Sequence, residues 1–212
     1  MKKVLLFFLL ITTICSAQDS TKVNKTQKPI NLVIKTDLLL PVVYYIVNGG
    51  NGKAISFTIE KLLVKRHSVQ LYSLFFTGTS KNVNSFQSIT STDQGYQLSA
   101  HYKFFVSKKR PHSGYYVGAF GMYGTLHSTQ QYTLYQKNNP SFSHSDEYID
   151  YFMGCGLVNG VQFYICNQLV IDCILGFGVQ ESLGTKVIQG DIGGNRDPSG
   201  YITAAINIGY KF

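Results

Sequence analysis

The chain has 212 residues, of which only 14% are charged, whereas its 15 Tyr, 14 Phe and 20 Gly make up a larger share. The length suits one domain with a sizeable core, and the balance suits a β-rich chain in lipid better than a soluble enzyme. A formal charge of +8 fits an anionic lipid surface and requires no nucleic acid.

Residues 1–17 carry Lys2 and Lys3, an apolar run from Val4 to Ile14, and Cys15-Ser16-Ala17 before Gln18. This is the pattern of a secretory signal peptide cleaved after Ala17. Lipidation at Cys15 is the competing reading, against which Ile14 is bulky where a lipoprotein signal takes a small residue. The later cysteines, Cys155, Cys166 and Cys173, are odd in number and unevenly spaced. Neither a disulfide framework nor a metal pattern follows, and no cofactor is expected.

Residues 18–30 are polar without apolar periodicity and read as a flexible periplasmic leader. Beyond them no run is long enough for a spanning helix: Leu38–Val47 is short and interrupted by Pro41. A membrane reading of residues 31–212 therefore requires a closed sheet, because unpaired backbone groups cannot face hydrocarbon.

Eight segments of roughly ten residues have strand character. In 31–40, Leu32, Ile34, Leu38 and Leu40 oppose Lys35 and Asp37. In 53–62, Ile55, Phe57 and Ile59 oppose Ser56, Thr58 and Glu60. Segment 67–77 is open in orientation, since Tyr72, Leu74 and Phe76 share the parity of Gln70. In 95–106, Tyr96, Leu98, Ala100, Tyr102, Phe104 and Val106 oppose Gln97, Ser99, His101 and Lys103. Segment 114–126 is rich in glycine and aromatics, and its parity is open too. In 148–164, Tyr151, Met153, Cys155, Leu157, Val161 and Phe163 oppose Asp150, Gly154, Gly156, Gly160 and Gln162. In 169–180, Leu169, Ile171, Cys173, Leu175, Phe177 and Val179 oppose Asp172, Gly176, Gly178 and Gln180. The last, 201–212, sets Ile202, Ala204, Ile206, Ile208, Tyr210 and Phe212 against Thr203, Ala205, Asn207, Gly209 and Lys211.

Links between the segments alternate. Residues 63–66, 107–113 and 165–168 are short, whereas 41–52, 78–94, 127–147 and 181–200 are longer. Short periplasmic turns and long outer loops have this asymmetry. The fold expected is all-β: a closed eight-stranded antiparallel up-and-down transmembrane barrel whose first and last strands pair. A soluble ligand-binding barrel would alternate as well, with its oily face inward. The polar faces, however, carry mainly Ser, Thr, Gln, Gly and Asn with few charges, which would hydrate a soluble surface poorly.

The overall plan resembles the small eight-stranded barrels of the OmpA and OmpX type. Lys35-Thr36-Asp37-Leu38-Leu39, Ile59-Glu60-Lys61 with Lys65-Arg66-His67-Ser68, and Gly114-Tyr115-Tyr116-Val117-Gly118 are similar to an outer-membrane family of Bacteroidota catalogued as a domain of unknown function. The resemblance implies a place in the cell outer membrane, contact with its lipids and lipopolysaccharide, and insertion by the barrel-assembly machinery. Tyr210 and Phe212 match the terminal aromatic pair of the insertion signal, while Gly209 stands nearer the end than that signal usually places its glycine. A soluble peptidoglycan-binding domain is not expected after Phe212.

Candidate site residues fall in several groups. Lys35, Asp37, Glu60, His101, Lys103, Asp172 and Lys211 form a lumen charge network, which reads as a plug before it reads as a pore or proton path. Ser143-His144-Ser145-Asp146-Glu147 with His127-Ser128 holds the ingredients of an acyl-transfer site. Adjacent strand residues point to opposite faces, however, and a solvated polar loop explains the run more simply. Asp191, Asn195 and Asp197 in 190–200 offer oxygens to calcium but lack a twelfth-position glutamate. Lys108-Lys109-Arg110 suits a solvated turn or lipid phosphates. The expected function is a monomeric, non-catalytic outer-membrane barrel acting through outer loops whose ligand the sequence leaves open. A lipid-modifying enzyme and a soluble periplasmic ligand-binding barrel are the alternatives.

Overall fold

The computed structural model describes residues 31–63, 66–83, 87–108, 112–136, 139–165, 168–190 and 198–212. The signal peptide and leader expected over 1–30, Cys166, Lys109 and Arg110, and the oxygen donors within 191–197 lie outside the described residues.

Eight antiparallel strands form a closed barrel in sequence order: β1 (Leu32–Asp37), β2 (Lys53–Leu62), β3 (His67–Val83), β4 (Gln87–Phe105), β5 (Gly114–Gln136), β6 (Asn139–Ile165), β7 (Leu169–Gln189) and β8 (Ser199–Lys211). Closure joins β1 to β8, with Val33 opposite Lys211, Lys35 opposite Gly209 and Asp37 opposite Asn207. Every strand therefore has a partner on each side, which removes the sheet edge from this part of the wall.

The two faces separate as alternation requires. Ile55, Phe57, Ile59, Leu98, Tyr102, Leu157, Phe177 and Ile206 point outward and are exposed, while Ser56, Thr58, Glu60, Gln97, Ser99, Lys103, Gln162 and Asn207 are buried within. The oily side is outside, opposite to a soluble ligand-binding barrel. Both open segments resolve the same way. In β3, Gln70 and Leu74 are buried while Val69, Leu71 and Phe75 are exposed; in β5, Tyr116, Phe120 and Met122 are buried while Tyr115, Val117 and Tyr123 are exposed.

Two expectations are corrected. The first segment does not run to Leu40: β1 ends at Asp37, and Leu39–Val47 forms a helix, α1. Asp37 Oδ1 accepts from the amides of Leu39 and Leu40 at 2.8 and 3.3 Å, satisfying first-turn donors that have no partner within a helix. Pro41 sits in that same first turn, where its missing N–H costs nothing. Gly49 and Gly50, at φ 59° and 90°, end the helix. The Tyr44 ring packs against Phe76 with its centroid 5.3 Å away and the planes tilted by 50°, and the Asn48 side chain closes on Gly78, where an added Cβ would fall 2.5 Å from Asn48 Oδ1. Both are inward positions of β3; the helix itself lies against β2 and β8, so α1 stands at the barrel mouth with the Tyr44 and Asn48 side chains reaching across to β3.

The second correction concerns the long links. Residues 78–94 and 127–147 are largely strand, and so is the first half of 181–200: β3 and β4 pair as far as Val83 and Ser88, β5 and β6 as far as Gln136 and Asn139, and β7 continues along β6 to Gln189. The β5–β6 ribbon continues about ten residues past the expected crossing, about 33 Å along the strands at 3.3 Å per residue. Thr, Gln and Tyr fill it, residues that sustain strands without the oily alternation that marks a crossing.

Candidate functional site

Inward side chains from four strands meet at one level of the lumen. Lys35 on β1, Glu60 on β2, Lys103 on β4 and Asp172 on β7 are all fully buried. Lys35 Nζ lies 2.6 Å from Asp172 Oδ2, contacts Glu60, and donates to Gln162 Oε1 at 2.8 Å. Lys103 Nζ lies 2.6 Å from the same Asp172 oxygen and 3.7 Å from Glu60 Oε1. The Tyr116 hydroxyl donates to Asp172 Oδ1 at 2.8 Å, and the Ser68 hydroxyl donates to Glu60 Oε1 at 2.5 Å. Two cations and two anions neutralise one another, and the added hydroxyl and amide bonds meet the condition under which buried ions are tolerated.

The other three expected members stand apart. Asp37 lies at the loop end of β1, where its carboxylate holds the start of α1 and accepts from the Ile206 amide at 3.3 Å. Lys211 shares the inward parity but stands over the Tyr164 ring, 5.4 Å from its centre. His101 is buried and stacks on Phe120 at 5.6 Å. Together with Gln70 and Asn207 it lines a cavity of about 20 Å³, roughly the room one water molecule needs. His101 Nδ1, Gln70 Nε2 and both Asn207 amide atoms lack a hydrogen-bond partner among the described residues, so unpaired polar atoms stand beside Phe120, Ile174 and Ala205 in the lining of this small space. Val33, Leu62 and Val170, with Tyr164 against them, fill the short-turn end. The lumen is packed as an eight-stranded interior should be.

Sequence reasoning missed the apolar half of that interior. Phe105, Tyr116, Phe120, Met122, Val158, Ile174 and Ala205 form one cluster on the β4–β8 side. The signal was present in the inward glycines of β6. A Cβ on Gly160 would fall 2.5 Å from the Tyr116 hydroxyl oxygen, and one on Gly156 would fall 2.7 Å from Phe120 Cε1. These glycines are hollows into which rings from β5 settle, so a glycine run on one strand indicates bulk on its neighbour.

The acyl-transfer ingredients do not assemble. His127 and Glu147 share the outer wall, with His127 Nε2 2.8 Å from Glu147 Oε1, but its Nδ1 is taken by Gln94 Nε2 at 3.0 Å. Neither ring nitrogen is left for a serine. Ser128 points inward and is buried, away from His127. His144 pairs with Asp146 at 2.8 Å, and its neighbours Ser143 and Ser145 lie on the opposite face of β6. Cys155 and Cys173 are free and outward.

No protein-family model matches the sequence, and no curated protein matches it. Among solved structures, the N-terminal β-barrel domain of Pseudomonas aeruginosa OprF is similar, with 14% identity and a TM-score of 0.34 over 87% of this chain and 100% of that one.

Proposed function

We propose that this chain is an outer-membrane barrel: a monomeric, non-catalytic wall element whose lumen is sealed and whose activity resides in the ribbons beyond the membrane. The observation that carries this is the outward belt. On β7, Leu169, Ile171, Cys173, Leu175, Phe177 and Val179 alternate over ten residues, about 33 Å along the strand, or roughly 25 Å of height at a tilt near 40°. That height suits the hydrocarbon layer a barrel must cross. On β2 the belt of Ile55, Phe57 and Ile59 is bounded by Lys53 and Lys61, whose long stems let the amines reach the two interfaces. Tyr96 and Tyr123 toward the loop end, and Tyr102, Tyr115 and Phe163 toward the other, are exposed on the same face and supply aromatic girdles.

The likeness to the Bacteroidota family rests on the short motifs of β1, β2, the first short turn and β5, and it supports the same location, insertion by the barrel-assembly machinery through Tyr210 and Phe212, and contact with lipopolysaccharide. The test is membrane fractionation with electrophoresis of boiled and unboiled samples. The expected result is a carbonate-resistant band that shifts on boiling; release by carbonate without a shift contradicts the reading.

A further inference from the structure

Three successive pairs stand at the loop end of the β2–β3 ladder: Lys53 opposite Thr77, Ala54 opposite Phe76, and Ile55 opposite Phe75. They enclose a groove of about 230 Å³ lined by those six residues, more apolar than polar. The outward side chains Ile55 and Phe75 form its walls at 66% and 58% exposure, barer than Phe57 and Ile59 further down the same strand. The pair Ala54–Phe76 forms the floor, because side chains on either side of it point outward.

The chemistry changes at this groove. Toward the short turns the outer wall of β2 and β3 is apolar, with Phe57, Ile59, Leu71 and Val69 exposed. Toward the loops it turns polar: Thr79 and Thr92 hydroxyls lie 3.3 Å apart, and Gln94, His127 and Glu147 form a chain across β4, β5 and β6. Lys53 and Thr77 stand on the boundary, with hydrocarbon-like surface on one side and hydrogen-bonding surface on the other. An occupant that matches both is an acyl chain lying along Ile55 and Phe75 with an anion at its head, within reach of the Lys53 amine and the Thr77 hydroxyl.

We propose that this groove is a binding site for an acylated, phosphorylated glycolipid of the outer leaflet, with one acyl chain in the groove and one phosphate on Lys53. The assignment rests on the outer-membrane reading, since only there does such a lipid meet this wall. Continuity of the groove with the apolar belt and the single cation at its polar rim select this occupant over a peptide added as a strand, which would need unpaired strand edges that β2 and β3 lack here.

The test is native mass spectrometry of the full chain in detergent micelles, titrated with a hexa-acylated diglucosamine bisphosphate, its dephosphorylated counterpart, and phosphatidylglycerol. One bound bisphosphate is expected, in preference to the other two lipids. Lys53→Ala is expected to weaken it about five-fold, as loss of one base near an anionic surface does, without changing the dephosphorylated lipid. Ile55→Trp, which fills the groove, is expected to weaken both. Equal binding in wild type and both variants, or preference for phosphatidylglycerol, overturns the assignment. A boiling-induced gel shift on each sample separates that outcome from failure of the barrel itself, which would abolish the shift in wild type as well.

Discussion

Lys35→Met is the most informative perturbation of the lumen. The ammonium touches both Glu60 and Asp172, is fully buried, and also donates to Gln162. Its removal leaves two carboxylates against one cation, with Asp172 still paired to Lys103 at 2.6 Å but Glu60 facing Lys103 only at 3.7 Å. Breaking a buried pair from one side costs about 3–5 kcal/mol, because a charge is stranded where water cannot reach it. Glu60→Gln strands a cation instead and should cost a similar amount. The double variant Lys35→Met/Glu60→Gln restores neutrality around the remaining Lys103–Asp172 pair, and the amide introduced on β2 keeps an acceptor for Ser68. It should therefore be more stable than the sum of the singles implies by at least about 2 kcal/mol, within the coupling measured for residues in one network. Urea unfolding of the barrel in lipid vesicles, followed by electrophoretic mobility, reads all four species. Additive costs would refute the claim that these ions act as one neutral unit.

Gly160→Leu places bulk where the Tyr116 hydroxyl already sits, 2.5 Å from the added Cβ, and against the Cys173 carbonyl oxygen. A loss of about 1–3 kcal/mol is expected in the same urea assay, and an unchanged midpoint would show that the hollow is not filled as described. His127→Ala and His144→Ala should leave the lipid A mass profile identical to wild type, because neither histidine holds a serine; a mass change lost on substitution would establish a lipid-modifying enzyme. Vesicles carrying the protein should show no swelling in isotonic sugar, since the cavity beside His101 is only about 20 Å³; swelling at porin rates would contradict a sealed lumen.

The strand crossings were legible because period-two alternation is strong wherever one face is oily, as on 95–106 and 169–180. The direction of facing was legible from the few charges on the polar faces, since alternation is shared with a soluble barrel. Leu39–Val47 was not. Its run of β-branched and aromatic residues favours a strand by propensity, and the helix depends on Asp37 capping it and on Tyr44 reaching Phe76. The ribbons of 127–147 were hidden for the opposite reason: out of the belt, a strand needs no oily face, so a polar strand reads as a loop. Four of the seven lumen charges converge, and their inward parity alone placed them on one surface. Which of them share a level depends on strand stagger around the barrel, and this no single strand encodes. Asp37 and Lys211 have the correct parity at the wrong height.

The account depends on the oily exterior meeting hydrocarbon. A spin label at Leu157→Cys, on a position 70% exposed on the outer wall of β6, in a chain whose native cysteines are replaced by alanine and which is reconstituted into lipid vesicles, reports this directly through its collision rates with oxygen and with a water-soluble nickel chelate. Fast relaxation by oxygen and almost none by the chelate is the predicted result. Ready access of the chelate to that label, in a folded barrel, contradicts it.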